Sequence, residues 1–288
     1  MTDSLKLVRG FKVAYPIFIE RSYKRQLVGL VRNLELLTLE LLFESHYFHN
    51  SFNKAIRKDD IIDDFEDLIR KINATIVIEV NKTVGLLPKR FEAVRSFVER
   101  SFSKSLAHIQ KRAANASIST LVVSNSSAIA TTDIALLRRI WAEKNTQLIK
   151  SIPADALVKV SDVVHDAIRQ GESRVSLGRK LSQVFKTTKK RANMIARDQI
   201  GKAASDLNRH NDLVNGLNTY EWSTCLDGAV RPSHRALNGK ICSWNDPTIF
   251  KNKLADKWKK RASINAVQKH AGEDFNCRCT NLVIGEIA

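Results

Sequence analysis

Apolar residues recur at three- and four-residue steps through most of the first hundred residues of this chain. That spacing places them on one face of a helix, so it limits what this segment can fold into. Successive series cover residues 27–42, 61–72 and 91–109, and the breaker Gly85-Leu86-Leu87-Pro88 separates the last two. The chain has only 11 glycines and 5 prolines, which also favours helix. We therefore predict a helical domain over residues 1–112, built as a bundle or as a pair of helical hairpins.

A polar, uncharged tract at residues 113–132 is predicted to be a linker. Asn, Ser and Thr fill about half of its positions, so it is too polar to cross a membrane. Four further helices are predicted behind it, at 133–152, 154–170, 176–185 and 188–214. Their boundaries rest on these residues: Pro153 as a start, Gly171 and Gly216 as stops, and Ser176 and Thr187 or Thr188 as caps.

The character of the chain changes from Tyr220 onward. Turn residues and aromatic residues become frequent, and all four cysteines lie in this last part of the chain. We predict a compact lobe from residue 220, at the end of a second domain that covers 133–285. The predicted fold class is thus mainly α, with a helical N-terminal domain and a helical C-terminal domain that ends in a small loop-rich α+β lobe. The cysteine spacing fits a reducing cytoplasm better than a disulfide framework.

The charge of the chain favours a polyanionic partner. Lys and Arg number 47 against 30 Asp and Glu, which gives a formal net charge of +17. Such a surface attracts nucleic acid, an acidic protein surface or anionic lipid. One basic stretch combines cationic side chains with an aromatic ring, which together bind single strands of nucleic acid by phosphate contact and base stacking. Its candidate contacts are Lys251, Lys253, Lys257, Trp258, Lys259, Lys260 and Arg261. A solvated helix with one buried tryptophan explains the same stretch equally well.

Two cysteines one residue apart, Cys277 and Cys279, form a candidate metal site. A disulfide between them would be too tight for normal geometry, whereas two thiolates suit Zn²⁺. Two more ligands are needed, and these residues are candidates: His234, Cys225 and Asp227 first, then His270 and Cys242. The alternative is that both cysteines pack as small apolar residues, while His234 and Asp227 bond to each other or to the backbone. The sequence thus requires no cofactor, and a structural zinc ion is the one candidate.

Asp227, Arg231 and Arg278 allow two interpretations. A carboxylate and a guanidinium can form a buried bidentate pair that fixes neighbouring loops. Alternatively, Asp227 and His234 could serve as an acid–base pair at a metal, as in a nuclease. The sequence shows neither a second carboxylate cluster nor a nucleophile motif, so we assign a structural role and predict no catalytic residue.

Several blocks of the second half stand in a recognisable order. They are Leu136-Leu137-Arg138-Arg139-Ile140-Trp141, Gly171-Glu172-Ser173, Ala196-Arg197-Asp198-Gln199, Trp222-Ser223-Thr224-Cys225-Leu226-Asp227-Gly228, Val230-Arg231-Pro232-Ser233-His234, Leu237-Asn238-Gly239-Lys240 and Gly272-Glu273-Asp274-Phe275-Asn276-Cys277-Arg278-Cys279. Together they resemble the phage Mu F-like head-morphogenesis family of minor head proteins, over roughly residues 133–285. The motif residues that the resemblance implies are Trp222, Asp227, Arg231, His234, Gly239, Asn276, Cys277, Arg278 and Cys279.

The resemblance implies a minor capsid protein of the virion. Such a protein is assembled in the host cytoplasm, acts in procapsid assembly, and lies inside the capsid near the portal vertex. The implied partners are the portal protein, the scaffold or major capsid protein, and double-stranded DNA bound without sequence preference; no membrane partner is expected. The N-terminal half carries no motif that we recognise, and we predict that it docks on the portal or scaffold. The alternatives are a metal-dependent nuclease or toxin-type enzyme, and a general non-specific DNA-binding protein.

Overall fold

The computed structural model describes residues 6–44, 58–115 and 134–287 of the chain. Long helices dominate it: α1 Ile17–Glu44, α2 Lys58–Gly85, α3 Leu87–Asn115, α4 Ile134–Gln170 and α5 Arg174–Val214. The strands are β1 Lys6–Lys12, β2 Thr219–Ser223, β3 Ile241–Ser243, β4 Ile249–Lys251, β5 Lys259–Lys260 and β6 Thr280–Ile287, with a short helix α6 at Pro232–Arg235 and a 3₁₀ helix at Arg261–Ile264. The prediction of a mainly α chain with a small α+β lobe is confirmed. No described helix is apolar enough over a sufficient length to cross a membrane.

The predicted helix break at Pro153 is wrong, because α4 runs through it. A proline inside a helix removes one backbone hydrogen bond and costs about 3 kcal/mol. Apolar side chains on both sides of it are buried, namely Ile149, Ile152, Ala156 and Leu157. Burial of this continuous stripe offsets the local cost, so packing overrides the proline signal.

The predicted break before Thr187 and Thr188 is also wrong, since α5 is continuous from Arg174. Both hydroxyls donate to the carbonyls four residues earlier, at 3.0 Å for Thr187 and 2.9 Å for Thr188. This bond satisfies a threonine inside a helix, where it cannot act as a cap. The cap of α5 is instead Ser173, whose Oγ accepts a hydrogen bond of 3.2 Å from the Ser176 amide.

The two predicted glycine stops are confirmed. Gly171 and Gly216 adopt the left-handed conformation, with φ of +65° and +71°. After each glycine the next amide reaches back five residues, from Glu172 to Ala167 at 2.9 Å and from Leu217 to Asp212 at 2.8 Å. This pattern closes a helix by satisfying its last carbonyls.

All six strands form one antiparallel sheet in the order β1-β6-β2-β3-β4-β5. Strand β1 lies in the segment that the sequence predicts to be helical, and it pairs with β6 at the other end of the chain. In β2, Tyr220 and Trp222 point into the core of the lobe, where the Tyr220 ring stacks on Trp244 at 3.9 Å. The loops of the lobe thus connect strands of this one sheet.

The chain divides into two compact units, each built from separate segments. The sheet unit draws on Met1–Ile19, Arg90–Trp141 and Arg197–Ala288, and the helix unit on Glu20–Lys89 and Ala142–Ala196. Both units therefore use residues from before and after the linker predicted at 113–132. Residues 113–115 of that linker close α3, and the rest of it lies outside the described residues. The docking role predicted for residues 1–112 stays a prediction.

Candidate functional site

The site lies in the lobe of the sheet unit and is centred on His234. This histidine belongs to α6, which begins at Pro232, and its ring packs edge-on against Trp222 with centroids 5.9 Å apart. Its Nδ1 lies 3.4 Å from Cys277 Sγ and 3.5 Å from Cys279 Sγ. Only 3% of the histidine and 5% of each cysteine are exposed. We call these three residues the His–Cys cluster.

The turn that carries the two cysteines is fixed on α5. Asn276 adopts the left-handed conformation, with φ of 54°, and its amide donates to Asp198 Oδ1 at 2.9 Å. Lys202 and Gln199 hold the other carboxylate oxygen at 2.7 and 2.9 Å. Asp198 thus anchors the turn that carries the two cysteines, and Gln199 donates to the same carboxylate. Strand β6 begins at Thr280, so the cysteines stand directly before the central part of the sheet.

Asp274 is the site residue that sequence reasoning missed. Its Oδ2 lies 3.0 Å from His234 Nε2 and accepts a hydrogen bond of 2.8 Å from Arg231. Its Oδ1 accepts another from Lys269 at 3.1 Å, and Arg231 also donates to the Phe275 carbonyl at 2.7 Å. The residue stands inside the Gly272–Cys279 block, and a carboxylate three residues before a candidate ligand was the available signal. Burial opposes ionisation of Asp274, but Lys269 and His234 hold its pKa below the ordinary value.

Asp227 pairs with Arg278 across the loops of the lobe. Its Oδ1 also accepts from the Ala229 amide at 3.1 Å and from the Cys225 thiol at 3.4 Å. The hydrogen bond with Arg278 lowers the pKa of Asp227. The structural role predicted for Asp227 fits this geometry, although the pair is partly exposed and uses one guanidinium nitrogen. The acid–base pairing of Asp227 with His234 is wrong, because the carboxylate that bonds to the imidazole is that of Asp274.

The motif glycine, Gly239, shapes the turn between β2 and β3. Its φ is +75°, a conformation that side chains rarely tolerate, and its amide donates to the Trp222 carbonyl at 2.8 Å. The Trp222 amide in turn donates to the Lys240 carbonyl at 2.8 Å. The turn thereby fixes Trp222, whose ring forms one wall around His234.

Hydrogen bonds within the His–Cys cluster shift the pKa values of its three members. A hydrogen bond with Cys279 lowers the pKa of Cys277 against the effect of burial, and His234 adds to this. The same bond raises the pKa of Cys279. Burial acts against protonation of His234, yet its bonds to Cys277 and Asp274 raise its pKa. The cluster therefore favours one thiolate, which is the form of cysteine that binds a metal or acts as a nucleophile.

The structure places Cys225 beside the His–Cys cluster, whereas Cys242 and His270 make other contacts. Cys225 lines a cavity of about 90 Å³ together with the His–Cys cluster. Cys242 lies on β3, where burial raises its pKa to about 11, and His270 packs on Trp244 with ring centroids 5.2 Å apart. Within the described ranges, the His–Cys cluster is the only group of three or more His, Cys, Asp or Glu whose ligand atoms converge, all within 4.8 Å.

The basic stretch is not a helix but strands β4 and β5 with their connecting loop. Two of its candidate DNA contacts are wrong, because Arg261 and Lys251 are buried, with exposed fractions of 0% and 8%. Lys251 donates to the Leu254 carbonyl at 2.8 Å and lies over the Trp258 ring at 4.9 Å. The remaining lysines are exposed on the edge strand and its loop, and we call them the edge lysines: Lys253, Lys257, Lys259 and Lys260.

Comparison with known proteins identifies this lobe and the helices before it. The model of the family described as phage Mu protein F like protein matches residues 158–282. Over these residues the chain is similar to the phage Mu protein F-like family. An uncharacterized protein of Haemophilus influenzae (strain ATCC 51907 / DSM 11121 / KW20 / Rd) is 37% identical over 142 residues, which are 49% of this chain. The chain covers only 28% of that relative. No solved structure matches the chain.

The phage Mu F-like segment contains the whole site. It begins within α4, includes α5 with Asp198, and ends just inside β6. The resemblance inferred from the sequence blocks is thus confirmed over a somewhat shorter range than 133–285. Strand β1 and helices α1 to α3 lie outside the match.

Proposed function

We propose that this chain is a minor head protein of a tailed phage that acts in procapsid assembly at the portal vertex. The observation that carries the proposal is the phage Mu F-like match over residues 158–282, which includes every residue of the His–Cys cluster. The contacts of the motif residues support a structural role. Asp227, Arg231 and Asp274 each hold a neighbouring loop in place, by ion pairs and by bonds to backbone groups.

We also propose that the protein contacts packaged DNA without sequence preference. Its net charge of +17 suits a protein beside densely packed phosphate. The edge lysines are the exposed part of the predicted DNA-binding stretch. Lysines on an edge strand also discourage pairing with other strands, and that use is compatible with DNA contact.

The portal-docking surface is proposed to lie on residues of the first three helices. On α2, the adjacent side chains of Val77 and Ile78 are 51% and 57% exposed. Neighbouring exposed apolar side chains suit a protein partner better than a nucleic acid. Leu36 on α1 adds a further exposed apolar side chain.

Co-purification with the portal protein tests the docking proposal. The chain and an affinity-tagged portal protein of the phage that encodes it would be produced together, and the captured portal analysed for the chain. We expect retention of the wild type and reduced retention of a Val77→Ser, Ile78→Ser double variant. Val158→Ser removes a valine on α4 that is 62% exposed and serves as the control. Failure of the wild type to bind under conditions where procapsids assemble would contradict the proposal.

A hydrolytic enzyme is the second candidate function. The observation that favours it is the position of His234 between a carboxylate and two thiols, since such a set could hold a metal and move a proton. Incubation of the protein with plasmid DNA and Mg²⁺, Mn²⁺ or Zn²⁺ separates the two candidates. The structural proposal expects no cleavage. Cleavage that disappears in His234→Ala would replace it with a nuclease.

A further inference from the structure

We propose that His234, Cys277 and Cys279 bind one zinc ion, with Cys225 as the fourth ligand. This inference goes beyond the proposed function and does not depend on it, because it rests on the positions of the ligand atoms. It also narrows the candidates that the sequence left open, since Asp227, His270 and Cys242 neither join the converging group nor line its cavity.

The distances inside the cluster match a zinc tetrahedron. Zinc binds sulfur at about 2.3 Å and imidazole nitrogen at about 2.0 to 2.1 Å, so neighbouring nitrogen and sulfur ligands stand about 3.5 Å apart. The observed separations from His234 Nδ1 are 3.4 Å to Cys277 Sγ and 3.5 Å to Cys279 Sγ. The three ligand atoms all lie within 4.8 Å of one another. The ion therefore fits with small movements of side chains.

The three ligand atoms of the cluster lie close enough together to share one cation. Both sulfurs lie within 3.5 Å of the same nitrogen, and Cys279 also bonds to Cys277. A divalent cation satisfies all three atoms together. The Cys279 amide already donates to Cys277 Sγ at 3.3 Å, a contact that stabilises a thiolate.

The carboxylate behind the histidine prepares it for a metal. A neutral imidazole that donates from Nε2 to Asp274 presents the lone pair of Nδ1 to the two sulfurs. Arg231 and Lys269 hold that carboxylate from its other sides. Carboxylate–histidine–zinc arrangements of this kind orient the ring and raise its affinity for the ion.

Cys225 completes the proposed ligand set. Its thiol now contacts Asp227 Oδ1 at 3.4 Å, and it lines the same cavity as the other three ligands. A zinc ion there would join three separate pieces of the lobe: the loop after β2, helix α6 and the turn before β6. A small lobe with short strands gains stability from such a closed structural site.

Metal analysis of the full-length chain tests the inference. The protein would be purified without chelator, loaded with Zn²⁺, freed of excess metal and measured by elemental analysis. We expect about one zinc per chain, and we expect Co²⁺ to give a thiolate-to-cobalt charge-transfer band. Cys277→Ser and Cys279→Ser should lose both signals. Cys242→Ala changes a buried cysteine outside the cluster and should retain them.

Two further variants refine the test, and both change residues outside the His–Cys cluster. Asp274→Asn should keep the stoichiometry and weaken zinc binding about 10- to 100-fold, because it removes only the support of the histidine. Cys225→Ser should keep the metal with weaker binding and a less intense cobalt band. Fewer than about one zinc per two wild-type chains, or unchanged binding in both Cys277→Ser and Cys279→Ser, would overturn the proposal.

Discussion

At the scale of single residues, Arg261 shows that part of the positive charge serves the fold. Its guanidinium is fully buried and donates to the carbonyls of Ile249, Val267 and Lys269 at 3.0, 3.2 and 2.7 Å. It also lies 5.5 Å from the Trp222 ring centre. The sequence placed this arginine among the DNA contacts, because nothing local distinguishes it from the exposed lysines before it.

Replacement of Arg261 is expected to destabilise the protein strongly. Arg261→Ala leaves three buried carbonyls without their donor and opens a cavity, so the free energy of unfolding should fall by about 3 kcal/mol or more. Lys260→Ala, next to it and exposed, should change this free energy by less than about 0.5 kcal/mol. Urea denaturation measures both. A loss under about 1 kcal/mol for Arg261→Ala would show that the guanidinium does not hold these loops.

Asp212 should make the stability depend on pH. Its carboxyl accepts from Trp244 Nε1 at 2.7 Å and from Asn281 Nδ2 at 3.1 Å, and burial raises its pKa from 3.8 to about 8. A raised pKa in the folded state contributes stability that is complete below the unfolded value and is lost as pH rises through the folded one. We therefore expect the free energy of unfolding to decline between pH 4 and pH 8.

The variant Asp212→Asn isolates this effect. It removes the titrating group and keeps an amide oxygen as acceptor, so the decline between pH 4 and pH 8 should become smaller. Asp162→Asn changes an exposed carboxylate on α4 and is the control. Denaturant titrations across this range provide the measurement. An identical pH dependence in wild type and Asp212→Asn would assign the decline to other groups.

At the scale of elements, the apolar spacing predicted the helices well but not all of their ends. Glycine stops were confirmed because a left-handed residue ends a helix by its own conformation, as Gly171 and Gly216 do. Pro153 and Thr188 only weaken a helix locally, and buried apolar stripes carry α4 and α5 through them. Strand β1 escaped prediction because its partner β6 lies at the opposite end of the chain, and local sequence carries no signal of that pairing.

The residues of the His–Cys cluster were also found from the sequence, whereas their hydrogen-bond partners were not. The spacing of Cys277 and Cys279 pointed to a shared function, and His234 stood in a recognisable block. The bond from His234 to Asp274 and the pairing of Asp227 with Arg278 depend on how the loops fold together. Residue type and spacing alone therefore left several pairings open.

Two glycines of α5 give a matched test of how closely the turn that carries Cys277 and Cys279 packs on this helix. A Cβ on Gly201 would lie 2.9 Å from the Cys277 carbonyl oxygen, so backbone would have to move. A Cβ on Gly178 would have open space, since it would lie 4.0 Å from the edge of the Phe43 ring. Gly201→Ala should lower the free energy of unfolding by about 1 to 3 kcal/mol. Gly178→Ala should raise it by about 0.5 to 1 kcal/mol.

Thermal and urea denaturation of both variants provide this comparison. Because both positions are inside one helix, the change in helix propensity is the same for each. A stabilising effect of Gly201→Ala would mean that the turn carrying Cys277 is not held against α5 as closely as the structure shows.

At the scale of the whole molecule, the net charge of +17 should appear as salt-dependent DNA binding. Each lysine that neutralises a phosphate adds about 0.9 to the slope of log K against log salt. Replacing the four edge lysines by glutamine should therefore reduce that slope by about 3 to 4. Fluorescence anisotropy with unrelated duplex sequences measures the slope and the absence of sequence preference.

A control with equal loss of charge makes this prediction specific. It replaces four exposed helix lysines, namely Lys104, Lys111, Lys144 and Lys159. An equal reduction of the slope in both quadruple variants would show that the total charge, rather than the edge of the sheet, governs DNA contact.

The proposal that this chain is a head component is tested most directly by the composition of the particles. Procapsids and mature heads would be purified by density gradient from cells that produce the phage encoding the chain, and analysed by mass spectrometry. The account predicts that the chain is present in these particles, in few copies and together with the portal protein. Its absence from both particles, with the portal protein detected in the same samples, would contradict a role in the phage head.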